Sequence, residues 1–115
     1  MKENTVLRKS YEFAVRIVKL SRKLRSEGEY VLSKQVLRSG TSIGANVEEA
    51  QAAQSRKDFH SKLTIASKEA NETRYWLRLL RDAGSETPEL TRALTDIEEL
   101  IRLLAAITKK TKTAI

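Results

Sequence analysis

The side chains that could carry chemistry are few in this chain of 115 residues. It has no cysteine and a single histidine, His60, so disulfides and thiolate metal sites are excluded. Glu48, Glu49, Glu69 and Glu72 could face the interior of a helical bundle, where Glu-x-x-His pairs hold metal ions. None of them has a histidine at that spacing. We therefore predict no metal site and no cofactor.

Nucleophilic and phosphate-binding motifs are not found either. The segment GTSIG, residues 40–44, has two glycines and two hydroxyl groups but lacks the lysine and the preceding strand of a phosphate-binding loop. No serine or cysteine nucleophile with a positioned base is indicated, and His60 lies beside the predicted core stripe. We predict no catalytic residues and a protein that is not an enzyme.

The segment SGTSIGANVEEAQAAQ, residues 39–54, is unusually rich in small side chains. Its apolar residues keep helical spacing, and Gly40 and Gly44 each cost such a helix about 1 kcal/mol relative to alanine. We therefore expect another helix to lie close against them, from the same chain or from another subunit. Asn46 falls at the edge of the core face, and we expect it to bond across helices, with Glu49 as its companion one turn on.

Basic residues are ordered along the first predicted helix. The net charge is +7, and the first 38 residues hold ten Lys or Arg against four Asp or Glu. Arg8, Arg16, Lys19 and Lys23 share one side of the helix, interrupted only by Glu12. Such a stripe is suited to the phosphates of RNA or DNA. The alternative interpretation is an ordinary solvated basic face.

The helical spacing of apolar residues and the residues that start and end helices predict four helices in a single domain, 1–115. Four glycines, one proline and abundant Ala, Leu, Glu, Lys and Arg are typical of an all-α protein. Gly28 and Gly84 mark helix ends, Ser55 and Thr87 are N-cap residues, and Pro88 opens the last helix. The predicted spans are about 5–27, 30–54, 56–83 and 88–109, followed by a basic, frayed tail at 110–115.

Four helices of this length with short connections predict an antiparallel up-down-up-down four-helix bundle. Several helices carry more apolar surface than one bundle core needs, including Leu100 on the fourth. This surplus indicates a homo-oligomer interface, and the alternative is a wide core face. The interface residues that we predict are Tyr11, Val15, Ile65, Trp76, Leu79 and Leu103.

Trp76 is the most informative of these residues. Tryptophan is enriched at interfaces, and its indole N–H requires an acceptor, for which Glu69 and Glu72 are in reach. The alternative is that Trp76 only covers the end of the core.

Neither a signal-peptide pattern nor a membrane-spanning run is found in the sequence. We therefore expect a soluble cytoplasmic protein that does not associate with membranes.

A longer pattern of residues resembles a known family. The segment 42–80 is similar to the central motif of small bacterial four-helix-bundle proteins, the 23S rRNA-intervening-sequence or S23-like proteins. The resemblance covers most of the chain and is strongest over residues 36–81. The residues that match are Ser42-Ile43, Asn46-Val47 with Glu49, Ser55, Asp58-Phe59, Leu63, Ile65-Ala66, Glu69 and Glu72-Thr73. Ala50 stands where the family commonly has glycine.

The resemblance implies structural roles for Asn46, Glu49, Phe59, Glu69 and Glu72. It implies assembly into rings, with pentamers favoured, and no enzymatic activity. Accessory proteins of diversity-generating retroelements resemble the same fold and have a basic surface and a reverse transcriptase as partner. We therefore hypothesise a ring-forming protein that binds nucleic acid through its basic face. The alternative is a protein-binding scaffold such as a reverse-transcriptase accessory protein.

Overall fold

The computed structural model describes residues 4–113, and within that range the chain forms four α-helices and no strand. The all-α prediction is confirmed. The helices are α1 (Thr5–Ser26), α2 (Tyr30–Ala50), α3 (Arg56–Asp82) and α4 (Pro88–Thr113).

Local side-chain chemistry accounts for most of the helix ends. Asn4, Ser55 and Thr87 each accept a hydrogen bond from the backbone N–H three residues later, at 3.0–3.2 Å, which satisfies an otherwise unpaired donor of the first turn. Gly28 and Gly84 follow α1 and α3 with φ of 89° and 100°, a region that favours glycine. The predicted caps at Ser55 and Thr87 are confirmed.

Two predicted boundaries are wrong. The second helix was expected to reach residue 54, but α2 ends at Ala50 because Ser55 takes up extended backbone to cap α3. The residues between them turn through hydrogen bonds of three-residue span, such as that from the Ala53 N–H to the Ala50 carbonyl at 3.1 Å. At the other end, α4 extends to Thr113 rather than stopping at 109. Residues 114 and 115 of the predicted tail lie outside the described residues.

Each helix packs against two others, in the order α1, α2, α3, α4 and back to α1, and the α1–α4 contact is the sparsest. α1 and α3, and likewise α2 and α4, lie diagonally across the bundle, and within residues 4–113 none of their Cα atoms approach within 8 Å. The molecule measures 45 × 25 × 21 Å, as expected for helices of this length side by side. Its largest fully buried side chains are Phe13, Ile17, Ile43, Leu63, Leu77, Leu80, Leu90, Ile97, Leu100, Leu104, Val36 and Val47.

The core face of α4 differs from the predicted one. Leu100 was assigned to an outer flank, yet it is buried together with Ala93. Leu94 and Ile101, which helical spacing from Leu90 and Ile97 predicts on the core face, are only half-buried. The buried stripe of α4 is therefore rotated toward α1. The positions of α1 and α3, the two helices between which α4 packs, decide which side of α4 is buried.

The glycines of α2 face α1 of the same chain. A Cβ atom added at Gly40 would lie 2.8 Å from Cγ2 of Ile17, and one at Gly44 would lie 3.1 Å from the backbone oxygen of Ser10. These separations are shorter than ordinary carbon contacts. The close approach predicted from residues 39–54 therefore exists, and it lies within one subunit.

Hydroxyl groups supply the polar atoms of the tightly packed interior. The Thr73 hydroxyl donates to Ser39 Oγ at 2.9 Å and links α3 to α2, and the Ser21 hydroxyl donates to the Ser33 carbonyl at 3.3 Å and links α1 to α2. Within residues 4–113, every buried side-chain nitrogen or oxygen has a hydrogen-bond partner. The interior therefore carries no unpaired polar group to mark a buried site.

None of the four helices, over residues 4–113, combines the length and apolarity needed to cross a membrane.

Candidate functional site

The groove between α1 and α4, which we call the α1–α4 seam, is bordered by a ladder of ion pairs. Cations of α1 contact carboxylates of α4 at regular intervals: Lys9–Glu99 at 2.8 Å, Arg16–Asp96 at 3.2 Å and Lys23–Glu89 at 3.0 Å. As residue numbers rise along α1, those of the partners fall along α4. Long polar side chains thus bridge the sparsest helix contact of the bundle.

This ladder takes up two of the four residues of the predicted nucleic-acid stripe. Arg16 and Lys23 belong to it, and Arg8 pairs with Glu12 of its own helix at 2.9 Å. Lys19 is exposed and has no ion-pair partner among residues 4–113. The structure therefore places the four residues on one face, with three of them facing a carboxylate.

Two carboxylates of the ladder, Glu99 and Glu89, are held in the charged form. The hydrogen bond from Lys9 lowers the pKa of Glu99 below its ordinary value, and the positive charge of Lys9 acts in the same direction. The pKa of Glu89 is lowered first by a hydrogen bond from its own backbone N–H and then by the hydrogen bond from Lys23. Near neutral pH these groups offset part of the positive charge of the stripe.

Two clefts lie along the seam. One, of about 630 Å³, is lined by Arg16, Lys19, Lys23 and Arg92 together with Glu89 and short apolar side chains. The other, of about 270 Å³, is lined mainly by the paired charges around Arg8, Lys9 and Asp96. Cations outnumber carboxylates in the first cleft, so it is the part of the seam best suited to an anion.

A second cationic surface lies at the end of the bundle where α3 begins and α4 ends, and we call it the basic end. His60 Nδ1 and Thr111 Oγ1 are 2.7 Å apart and join the two helices there. Its cations form no ion pair within residues 4–113, in contrast to those of the ladder. They are Arg56, Lys57, Lys109, Lys110 and Lys112.

Sequence reasoning missed the basic end because its two halves are about fifty residues apart along the chain. The last lysines were assigned to a frayed tail, although α4 continues through them. The usable signal was the pair of short basic runs, SRK at 55–57 and KKTK at 109–112, each next to a helix terminus.

The basic end contains an open cleft of about 480 Å³, which we call the basic-end cleft. Ala50, Ala53 and Phe59 form its apolar floor, and Arg56 and Lys110 line its rim. Phe59, one of the family-motif residues, is half-buried and packs against the core. Ser55, which also matches the family motif, lines the same cleft.

The other motif residues of α3 form a cluster with α2. Arg38 contacts Glu69 at 3.4 Å and also contacts Glu72. The Trp76 indole N–H donates to Glu72 Oε2 at 3.0 Å, which confirms that one of the two glutamates accepts this bond. Trp76 is half-buried and packs against the core. This cluster ties α2 to α3 along their outer flank.

Asn46 does not bond across helices, so that prediction is wrong. Its side-chain amide donates to the Ser42 carbonyl of α2 at 2.9 Å, because a short amide on a helix reaches the carbonyl one turn back. Glu49 is not its partner either, since it contacts Lys62 of α3 at 3.7 Å. The contacts that join α1 to α2 include those of the glycines and the Ser21–Ser33 hydrogen bond, rather than one from Asn46.

The predicted interface residues that are exposed lie on α1 and α3, and α2 has exposed apolar side chains as well. Tyr11 and Val15 of α1 are 64% and 39% exposed, and Ile65 and Leu79 of α3 are 40% and 38% exposed. Leu103, also predicted at an interface, is half-buried against the core. Because α1 and α3 are diagonal in the bundle, the two exposed sets face different directions.

The described side chains do not form the arrangement that a metal site needs. Across residues 4–113, no group of three His, Asp or Glu side chains is placed to hold an ion.

Fold and surfaces together define a small, basic four-helix protein with one group of cations along the α1–α4 seam and another at one end of the bundle. The chain belongs to the family of 23S rRNA-intervening sequence proteins, which matches residues 2–106. A solved structure with the same fold is a protein with unknown function from the S23 ribosomal protein family of Bacteroides thetaiotaomicron. It is 54% identical, with a TM-score of 0.86, and the match covers 90% of this chain and 98% of that one. No protein with a curated description matches.

Proposed function

We propose that this protein is a non-enzymatic, nucleic-acid-binding protein of the cytoplasm that acts as a homo-oligomeric ring. The observation that carries the proposal is a net charge of +7 together with two surfaces that hold cations without an ion-pair partner among residues 4–113, namely Lys19 on the seam and the five cations of the basic end. Concentrated positive charge attracts polyanions, and release of counterions from the nucleic acid adds affinity that falls with salt.

The fold that we propose is an antiparallel up-down-up-down bundle. Its support is the order of the contacts between neighbouring helices. Partner numbers fall along α4 as they rise along α1, and the same holds for α2 with α3, where Arg38 contacts Glu69 and Glu49 contacts Lys62. The bond between His60 and Thr111 and the ion pair between Arg74 and Glu98 repeat the pattern for α3 with α4.

The ring rests on the apolar side chains that the bundle leaves exposed. Two different faces of one subunit meeting head to tail generate a ring when the rotation closes. The exposed sets on α1 and α3, which face different directions, suit such an arrangement, and the resemblance favours five subunits. Light scattering is the test. We expect a mass several times that of the chain and a lower mass for Leu79→Ser, whereas a monomeric wild type would refute the ring.

Electrophoretic or fluorescence titration with RNA and DNA tests binding along the seam. We expect affinity to fall steeply with salt and to drop further when Lys19 is changed to Glu, because Lys19 has no carboxylate partner to compete with a phosphate. Lys34→Glu is the matched control, since Lys34 is equally exposed and lies on α2. Equal losses in both variants, or no binding at low salt, would refute the seam as the binding face.

The alternative function is a protein-binding scaffold, such as an accessory protein of a reverse transcriptase. The observation in its favour is the exposure of Tyr11 and Ile65, since large exposed apolar side chains are enriched at protein contacts. Purification from native cells with and without nuclease separates the two functions. A protein complex that survives nuclease favours the scaffold, and recovery of nucleic acid without a partner protein favours the first proposal.

A further inference from the structure

The basic-end cleft combines three chemical features that the seam does not. It has an aromatic side chain, Phe59, in an apolar floor, two cations without carboxylate partners at the rim, Arg56 and Lys110, and a side-chain amide, Gln54, that forms no hydrogen bond within residues 4–113. At about 480 Å³ it falls within the size range of small-ligand sites. The seam, by contrast, has paired charges and no aromatic side chain in its larger cleft.

We infer that the basic-end cleft takes one nucleotide of a single-stranded nucleic acid, an assignment that rests on the proposed function. The base stacks against Phe59, which needs only an exposed π face. The adjoining phosphates lie against Arg56 and Lys110, and the Gln54 amide offers a donor and an acceptor to the base edge. Aromatic stacking within a cationic groove is the usual means of binding single strands without sequence preference.

Double-stranded nucleic acid does not suit this cleft. Its bases are stacked on each other and paired, so a duplex presents only phosphates to the rim and leaves the floor empty. Lys109 and Lys112 are exposed at the same end of α4 and add positive charge that attracts the phosphates of a strand. The cleft therefore selects single strands through its floor, whereas its rim cations attract both forms.

Phe59→Leu is the decisive substitution, because it removes the ring and keeps an apolar side chain on the floor. We expect it to weaken binding of an oligothymidylate of about eight nucleotides by about tenfold. Binding of a duplex of equal length should be unchanged. Phe59→Tyr, which keeps a ring, should bind the single strand like the wild type, and circular dichroism of each variant controls for folding.

The rim is tested without disturbing the core. Arg56→Gln combined with Lys110→Gln should make the salt dependence of single-strand binding shallower. The negative slope of log affinity against log salt should become less steep by about 1.4. Lys34→Gln combined with Lys68→Gln removes the same charge from exposed cations that do not line the cleft and have no ion-pair partner within residues 4–113. The control pair should leave that slope closer to the wild-type value.

Three results would overturn the inference: equal losses of single-strand and duplex binding in Phe59→Leu, equal slopes for the rim and control pairs, or binding of free AMP as tight as that of the oligonucleotide. The last result would assign the cleft to a free nucleotide. A wild type that binds no nucleic acid refutes the proposed function as well. A wild type that binds, but loses affinity only through Lys19→Glu, refutes the cleft alone.

Discussion

Gly40→Ala tests how closely α1 and α2 pack. The added Cβ would lie 2.8 Å from Cγ2 and 3.1 Å from Cγ1 of Ile17. Ile17 is completely buried, and both carbons are bonded directly to its β-carbon, so neither can swing away as the end of a flexible side chain would. The substitution therefore overpacks the interior.

Two effects of opposite sign set the magnitude. Alanine is favoured over glycine inside a helix by about 1 kcal/mol. Overpacking of a well-packed core costs about 1–3 kcal/mol. We therefore expect Gly40→Ala to lower the free energy of unfolding by about 1 kcal/mol. Urea denaturation followed by circular dichroism measures this value, with protein concentration held constant because an oligomer gains stability with concentration.

The same substitution in an Ile17→Ala variant tests whether Ile17 is the group that the new methyl meets. Ile17→Ala removes both γ carbons and leaves the β-carbon, which would lie at an ordinary 3.4 Å from the new methyl group. In that background, Gly40→Ala should stabilise the protein by about 1 kcal/mol, because only the helix preference remains. Ala45→Gly, at an exposed position of the same helix, measures that preference directly and should destabilise by about 1 kcal/mol.

The sign of the change in the free energy of unfolding decides whether the close contact exists. Stabilisation by Gly40→Ala in the wild-type background would refute the close contact between α1 and α2. The same value in both backgrounds would show that Ile17 is not the group that the methyl meets.

Other changes test the surfaces and the core. Asp96→Asn frees the two arginines that it contacts at 3.2 and 3.7 Å. It should raise the affinity for DNA at low salt more than Glu86→Gln, which removes an equal charge from an exposed site outside the seam. Phe13→Ala should lower the free energy of unfolding by about 3–5 kcal/mol in urea denaturation, because Phe13 is 1% exposed. Glu99 has a folded-state pKa below the ordinary 4.5, so its stabilising effect is present above that pH and is lost as pH falls through the folded value. Thermal unfolding of Lys9→Gln across acidic pH should therefore show a weaker loss of stability than the wild type.

Helix identity could be predicted because its determinants are local. Ser55 and Thr87 cap helices through bonds to an amide three residues on, and Gly28 ends α1 through its own backbone conformation. Each signal acts within one turn and is visible in a short window. The end of α2 was missed because residues 51–54 are good helix formers, and the cap of the next helix decides the boundary.

The sequence predicts that a helix lies close against Gly40 and Gly44, but not which helix it is. Two glycines at helical spacing indicate that something lies close, because their cost in helix stability needs compensation. Which helix supplies the contact depends on how the chain folds back. The structure assigns it to Ile17 and Ser10 of α1, in the same subunit.

The sequence by itself determined four amphipathic helices, the start signals of α3 and α4 and a surplus of positive charge, because periodicity, caps and composition are properties of neighbouring residues. Only the tertiary structure decided which charges remain available. Lys9 meets Glu99 across 90 residues, whereas Arg56 and Lys110 come to one cleft with no carboxylate partner in the described chain. The reason is that the interaction of two charges depends on their distance in space, which helix packing sets and sequence separation does not.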